Sequence, residues 1–514
     1  MIGQFRHILR LMTIARVLAR HDALFPLERI TPLAPLVAPM RVFRSRSVSG
    51  RPGQRLAAAF AALGPSFIKF GQTLSTRADL LGEEIATDLS ELQDAVAPFP
   101  MAAVRKTLET DFDQPIEDLF YSFEETPVAA ASIAQVHFAI TKTPEGEPDR
   151  PVAVKILRPG VEETFLEDVK LLHWIARLVE MTQPSFRRLK PVETAQAFED
   201  SMTIEMDLRF EAAAACELAE NFEGDPHFRV PGIDWQRTSQ RVLTIDRVVG
   251  LRVDEPEALR EAGIDPLQIV EIAANAFFNM VFRDGFFHAD LHPGNMFVEE
   301  DGTLVAVDFG IMGRIGRNDR RYLGEMLLSF LTGNYRRAAE VHFEAGWVPA
   351  DKSVEAFTQA CRSIAEPIFG KPLNEISVAK LLGQLFQVTE TFEMQSQPQL
   401  LLLQKSMLIT EGVGRKLAPE VNMWELSQPL IESWIADNMG PQAKMRDMAV
   451  SAGSALEKLP RILSESEKLL QSAQTSGVKL SPETLRDMKG RRIGAPWFIT
   501  WFLLILLIIL VITN

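Results

Sequence analysis

The chain has 514 residues, 46% of them hydrophobic and 24% charged, with a formal net charge of −14. That length accommodates several domains with substantial cores, and the acidic balance argues against a dedicated nucleic-acid binder, which would carry a basic domain or stripe. Two cysteines, Cys216 and Cys361, exclude a disulfide framework and a cysteine-based zinc site and fit a reducing compartment.

Residues 1–50 hold eight arginines against Asp22 and Glu28 as the only acids. In FRHILRLMTIARVLAR, Arg6, Arg10, Arg16 and Arg20 gather within about a third of a turn, opposite Ile8, Leu11, Ile14 and Leu18. Such a helix fits anionic lipid headgroups and equally an ordinary packed surface position. No small-residue cleavage site follows, which argues against a signal peptide. Residues 51–110 read as helices from the apolar periodicity of LAAAFAALGPSFIKFGQTLS and EEIATDLSELQD. From about 117 the pattern turns to strands: LFYSFEE, SIAQVHFAITK and PVAVKIL, the last two joined by the polar turn TPEGEPDR. Helices follow over 161–184 and 192–222, then a strand cluster in RVLTIDRVVG and an apolar helix over 265–284. The chain from 318 to 420 reads as successive helices, broken at Gly333-Asn334 and Lys371-Pro372, and 421–488 as a polar stalk. Finally, the uncharged stretch Ile493–Thr513 spans about 30 Å as a helix. Trp497 and Trp501 stand near its start, with Lys489, Arg491 and Arg492 on that side alone. One membrane span is expected, with the long N-terminal body on the cytoplasmic side.

A β-rich segment followed by a helical one, with polar motifs at their junction, is the pattern of a two-lobed nucleotide cleft. The fold class is α+β and not a doubly wound sheet, because strands do not alternate with helices. Phosphoryl transfer needs Mg²⁺ against the phosphates, a cation on the non-transferred phosphates, and an acid or base near the attacking oxygen. Asp308 ends the apolar run TLVAVD beside Phe309-Gly310 and offers a hard carboxylate for Mg²⁺. Asn295, thirteen residues earlier, can add an amide oxygen to a second metal, which leaves Asp290 to orient or deprotonate the acceptor. Lys155, inside the apolar VAVK, needs an anionic partner: a phosphate, a carboxylate or both. Each piece alone is weak; V-A-V-K, then H-x-D-x₄-N, then D-F-G, in that order, is specific. His288 and His292 do not make a zinc site, since Pro293-Gly294 ends any helix there and no third ligand is evident. Gly412-Val-Gly414 lacks the third glycine of a dinucleotide fingerprint.

Four stretches in order, PSFIKFGQTLSTRADLL (65–81), VAAASIAQVHFA (128–139), EMDLRFEA (205–212) and HADLHPGN (288–295), resemble the hallmarks of the UbiB family of atypical kinases. That family, also called ABC1-like or coenzyme Q8-type, is associated with ubiquinone biosynthesis. The resemblance runs from Gly64 to Asn422. It implies a two-lobed protein-kinase-like fold: N-lobe 115–250, C-lobe 251–422, and a helical extension 51–114 carrying a KxGQ motif. A basic segment, 1–50, precedes these; a helical linker, 423–492, and the single C-terminal transmembrane helix, 493–513, follow.

The resemblance further implies that ATP or ADP binds with Mg²⁺ between the lobes. Lys155 then faces the α- and β-phosphates and pairs with Glu211, Asp290 is the catalytic-loop aspartate, and Asn295 and Asp308 are the metal ligands. The phosphate-covering loop is Ala129-Ala130-Ala131-Ser132 where ordinary kinases place glycines. Alanine does not enter positive φ readily, so a stiffer loop and an altered nucleotide preference are expected. Lys69, Gly71 and Gln72 are expected to cover the place of a peptide substrate, with Lys69 meeting Glu205 of the E-x-D motif that ends at Asp207. A blocked peptide site and a membrane anchor point to a membrane-embedded, polyprenylated substrate or to nearby biosynthetic enzymes, and the expected location is the inner (cytoplasmic) membrane. The expected partners there are membrane lipids, polyprenylated quinone precursors and other ubiquinone-biosynthesis enzymes; a homodimer stays open, and no nucleic acid is expected. Bacterial members of the family often carry two C-terminal spans; one is found here. Two other readings stand beside this one. The first is a nucleotide-gated scaffold without essential transfer. The second is a quinone-ring hydroxylase (2-polyprenylphenol 6-hydroxylase), which would need flavin or iron.

Overall fold

The computed structural model describes residues 2–439 apart from 29, 31–32, 45–49, 76–81, 91, 93–95, 183–189, 368–387, 389–390, 395–397, 420 and 422. The chain divides into Met1–Ala436 and Asp437–Asn514. The expected span at 493–513 and nearly all of the second unit lie outside the described residues. Among the described residues no helix is long and apolar enough to cross a membrane.

Helix α1 (Ile2–Arg20) is the basic amphipathic segment. Its apolar face, Leu11, Ile14, Ala15 and Leu18, is buried in one cluster with Leu56 and Phe60 of α2 (Pro52–Leu63), Phe67 and Ile68 of α3 (Pro65–Ser75), and Leu89 of α4 (Glu83–Ser90). Of the two roles its pattern allowed, the apolar face takes the packed one. Close approach holds these helices together: a Cβ on Gly71 would lie 2.5 Å from Leu92 Cδ1 and 2.7 Å from Phe60 Cδ2.

After α5 (Met101–Phe112) the chain builds an antiparallel sheet from β1 (Phe120–Phe123), β2 (Ala129–Ala130), β3 (Ala134–Lys142) and β4 (Pro148–Leu157). The sheet is completed, beyond the short β5 (Phe228–Arg229), by β6 (Val242–Asp246), in the order β1-β3-β4-β6 with β2 on β3. Period-two alternation divides β4 between two environments. Val152, Val154 and Ile156 are buried against Val104 and Leu108 of α5. Lys155 therefore emerges on the opposite face, in register with Val136 of β3 and Leu243 of β6.

Helix α6 (Val161–Thr182) is tied back to α1 by Arg10, whose guanidinium donates to both Asp168 oxygens at 2.8 and 3.0 Å. The helix expected over 192–222 is in fact two, α7 (Pro191–Glu205) and α8 (Leu208–Asn221). Asp207 breaks it: its carboxylate accepts from the Arg209 amide and caps a new helix, a competition that helical periodicity does not reveal.

The C-lobe core surrounds α9 (Pro266–Phe278), which runs on as a π turn, Asn279–Asp284, ended by Gly285 at φ +69°. Four short strands follow the start of this lobe: β7 (Leu251–Arg252), β8 (Phe286–His288), β9 (Met296–Val298) and β10 (Leu304–Ala306), with β11 (Met312–Arg314) after them. They pair as β5-β10-β9-β7 and β11-β8. Helices α10 (Arg317–Leu331), α11 (Tyr335–Glu344) and α12 (Val354–Ala365) come next. Gly333 at φ +69° and the Asn334 cap on Arg337 N make the expected break between α10 and α11. The break expected at Lys371-Pro372 lies outside the described residues. Helix α13 (Pro398–Leu417) buries Leu403, Val413 and Leu417 in the C-lobe core. Helix α14 (Met423–Met439), within the stretch read as a stalk, rests on the same lobe: Trp434 Nε1 donates to the Phe282 carbonyl at 2.7 Å and its ring meets Phe282 edge-on.

The turn at Gly285 launches β8 and the motif after it. A Cβ there would combine left-handed backbone with a 2.6 Å approach to the Ile315 carbonyl oxygen. Gly285→Ala should therefore cost about 1–3 kcal/mol, read as a lower denaturant midpoint of the full chain.

Candidate active site

Strand β4 delivers Lys155 into a carboxylate pair. Its Nζ lies 2.8 and 3.0 Å from the Glu211 oxygens and 2.9 Å from Asp308 Oδ1. Glu211 comes from the first turn of α8, whose start the Asp207 cap fixes. Asp207 is further held by Arg209, whose Nε and Nη2 donate to it at 2.9 and 2.6 Å. Asp308 follows β10 and adopts φ +64°, a left-handed conformation that aspartate tolerates better than most residues. The motif set thus converges from three distant parts of the chain.

One ammonium cannot satisfy two carboxylates equally. Burial alone would lower the Lys155 ammonium, but Asp308 and Glu211 outweigh it and hold it charged. Burial would raise the Asp308 carboxyl, yet Lys155, assisted by Lys69, holds it well below the usual range. At Glu211, burial, with the Asp308 charge adding to it, pushes the carboxyl up to about 7 against the pull of Lys155. With all three ionised the cluster carries a net negative charge, Lys155 and Glu211 largely buried and Asp308 half-exposed, which favours a cation on the open side.

The loop after β8 places the other candidates. His288 is fully buried; its Nδ1 accepts from the Asp290 amide at 3.1 Å, so Nε2 carries the proton and donates to the Val307 carbonyl at 3.2 Å. Burial holds this imidazole neutral. The ring is a spacer between the Asp290 loop and the strand end before Asp308. Asn295, also buried, donates Nδ2 to the Asp290 carbonyl at 3.1 Å, which leaves Oδ1 as the atom available to a cation. Val307 N donates to the Asn295 carbonyl at 2.9 Å, so the two candidate metal ligands are tied through backbone. A carboxylate and an amide oxygen beside surplus negative charge make a donor set that fits Mg²⁺. His292 is exposed and accepts from Gly294 N with Nδ1, as a turn residue.

The alanine loop is a tight reversal between β2 and β3. Ala129 and Ala130 pair with Val136 and Gln135, and Ala131 N donates to the Ala134 carbonyl at 2.8 Å. Ser132 is completely buried. Arg158 clamps this turn, Nε donating to the Ser132 carbonyl at 3.2 Å and Nη2 to that of Ala97 at 3.0 Å. From the helical extension, Lys69 Nζ meets Glu205 Oε2 at 3.2 Å, both side chains largely buried. Two residues on, Gly71 is the close crossing already described, and Gln72 Nε2 donates to the Leu92 carbonyl at 3.4 Å.

Asp290 does not join the Lys155 cluster directly. Its Oδ1 instead meets Lys405 Nζ of α13 at 2.9 Å. Sequence reasoning missed Lys405 and Arg158. Arg158 stands three residues beyond the strand lysine and could have been suspected; Lys405 is one charge in a long helical stretch, with no local signal.

Residues 91–342 match the ABC1 atypical kinase-like domain, and residues 361–422 match the UbiB helical domain. Over 477 residues the chain is 40% identical to "Probable protein kinase UbiB" of Marinobacter nauticus, covering 91% of this chain and 86% of that one. A protein of the same name from Aeromonas hydrophila is 43% identical over 414 residues, 80% of this chain and 75% of that one. In fold, the chain is similar to the Mycobacterium tuberculosis protein solved as the Rv3197–erythromycin complex, with a TM-score of 0.50 and 24% identity over 79% of this chain and 98% of that one. The fold is kinase-like and α+β.

The raised Glu211 carboxyl makes stability depend on pH. A carboxyl whose folded value lies above its ordinary 4.5 stabilises fully below 4.5, and that contribution is lost as pH rises through about 7. The unfolding free energy of the parent chain minus that of Glu211→Gln should therefore fall by about 3 kcal/mol between pH 4.5 and 7.5 without nucleotide. A difference flat across that window, in denaturant titrations, would show that folding leaves the Glu211 carboxyl unshifted.

Proposed function

The chain belongs to the UbiB family of ABC1-type atypical kinases, and on that premise we propose that it is a membrane-anchored phosphotransferase or ATPase that uses Mg²⁺ and ATP in support of ubiquinone biosynthesis. The observation that carries this reading is the contact of Lys155 with both Glu211 and Asp308, beside a loop that presents Asp290 and Asn295. In this reading Asp308 and Asn295 Oδ1 would hold Mg²⁺, which would supply the charge neutralisation that phosphoryl transfer needs. Lys155, kept oriented by Glu211, would serve the α- and β-phosphates. Asp290 accepts the acceptor proton as the bond from acceptor oxygen to γ-phosphorus forms and that to the ADP oxygen breaks.

Membrane anchoring rests on the uncharged segment 493–513. The Lys69–Glu205 pair supports a helical extension that blocks a peptide substrate, which favours a polyprenylated quinone precursor, or neighbouring biosynthetic enzymes, as the partner. The same pair suits a nucleotide-gated scaffold, because a lock between extension and lobe can report nucleotide without transfer.

Full-length protein in phosphatidylethanolamine–phosphatidylglycerol liposomes, with a phenolic quinone precursor, separates the two. Asp290→Asn should reduce ATP turnover by roughly 10²–10⁴-fold and leave Mg-nucleotide binding in place, while Asp308→Asn should lose both. Unchanged turnover in Asp290→Asn removes the catalytic assignment. Abolished turnover in a variant that still sustains quinone synthesis favours the scaffold.

A further inference from the structure

We propose that Lys405, on α13 of the C-lobe, is the cation of the acceptor side of the site. It holds Asp290 before transfer and faces the transferred phosphoryl group during it. The inference rests on the phosphotransfer reading above and adds to it a residue from a different part of the chain.

Three observations carry it. First, Lys405 Nζ lies 2.9 Å from Asp290 Oδ1, with 37% and 27% of the two side chains exposed. A pair so open to water contributes little to stability, so structural glue is a poor account of it. Second, the contact is registered by the next residue. Ser406 is completely buried, and its one hydroxyl hydrogen is shared between the His288 carbonyl at 3.3 Å and the Leu402 carbonyl at 3.0 Å. Two successive residues of α13 thus grip the loop on either side of Ala289. Third, the loop supplies no cation of its own: between Asp290 and Asn295 stand only Leu291, His292, Pro293 and Gly294, and His292 Nδ1 already serves Gly294 N. The other lysines of the site are engaged elsewhere, Lys155 with Glu211 and Asp308 and Lys69 with Glu205.

Geometry sets the reach. An acceptor oxygen that gives its proton to Asp290 must come within about 3 Å of that carboxylate. Lys405 Nζ, bonded to the same carboxylate, is then within about 6 Å of the acceptor oxygen, and its half-exposed side chain can close the remainder. The negative charge that spreads over the phosphoryl oxygens during transfer develops there, and a positive group aimed at it lowers the barrier. The covalent bookkeeping is that of the transfer above, Asp290 taking the proton; Lys405 keeps its own.

The test uses the full chain in the same liposomes, with Mg-ATP turnover, Mg-ADP titration followed by intrinsic fluorescence, and the thermal midpoint measured for each variant. Lys405→Met should lower kcat roughly a hundredfold, leave KM for ATP and the Mg-ADP dissociation constant within about threefold, and leave the midpoint unmoved; Lys405→Arg should restore most of kcat. Because Lys405 and Asp290 work on one step, Asp290→Asn with Lys405→Met should be no slower than Asp290→Asn alone. Lys416→Met, on the same helix but paired with Asp254, should behave as the parent. Full turnover in Lys405→Met, or a loss that tracks a fallen midpoint and that arginine fails to restore, overturns the proposal. If Asp290→Asn also turns over normally, it is the phosphotransfer reading that fails; if Asp290→Asn is inactive and Lys405→Met is not, only the role of Lys405 does.

Discussion

A single ammonium shared between two carboxylates organises this molecule. Lys155 can reach Glu211 and Asp308 together only if β4, α8 and the turn after β10 hold fixed relative positions. Each supporting feature serves that convergence. The β3–β4–β6 register turns Lys155 to one face of the sheet, the Asp207 cap sets where α8 begins, and the left-handed backbone at Asp308 swings its carboxylate out of the strand direction. Ionic clusters with buried members such as Glu211 are weak sources of stability, because desolvation offsets most of the attraction. Their value lies in specificity, since a charge unmatched by a partner there would be expensive. The surplus negative charge is the chemical opening, as it makes the cluster receptive to a divalent cation.

Two helices distant in sequence from these motifs act on the site in the same way, each through a lysine. Lys69 reaches Glu205 from the N-terminal extension, two residues before the cap that starts α8, and its charge extends to Asp308. Lys405 reaches Asp290 from α13. Gly71 lets α3 come close enough to α2 to aim Lys69, and Ser406 pins α13 against the loop so that Lys405 is aimed as well. The N-terminal extension and α13 are therefore each tied to a carboxylate of this region by an ion pair.

The legible parts of the sequence were those whose physics is local. VAVKIL alternates so that its lysine had to leave the apolar face, and the spacing of Asp290, Asn295 and Asp308 encodes one loop and one strand end. The strands around that loop escaped notice because two or three residues are too few for a period to show, as with Phe286–His288 and Met312–Arg314. The break at Met206-Asp207 was hidden inside a helical pattern, because the cap acts through one side chain. Segment 1–20 was legible as an amphipathic helix and ambiguous in its partner: the hydrophobic stripe that fits a bilayer also fits the Leu56–Phe60–Leu89 surface it meets. Trp434 lay in a stretch too polar to read as packed, though one indole suffices to dock it.

By itself, the amino-acid sequence determined the kinase-like class, the order of its motifs and the oxygen-rich chemistry of Asp290, Asn295 and Asp308, because residue type and spacing are properties of the chain before it folds. Only the tertiary structure decided which charges neutralise which. Lys155 was shared between both oxygens of Glu211 and one of Asp308, and Asp290 was matched to a lysine from another region altogether. Pairing energies depend on distance and on how much water remains between the groups, and neither is defined until helices far apart in sequence have packed.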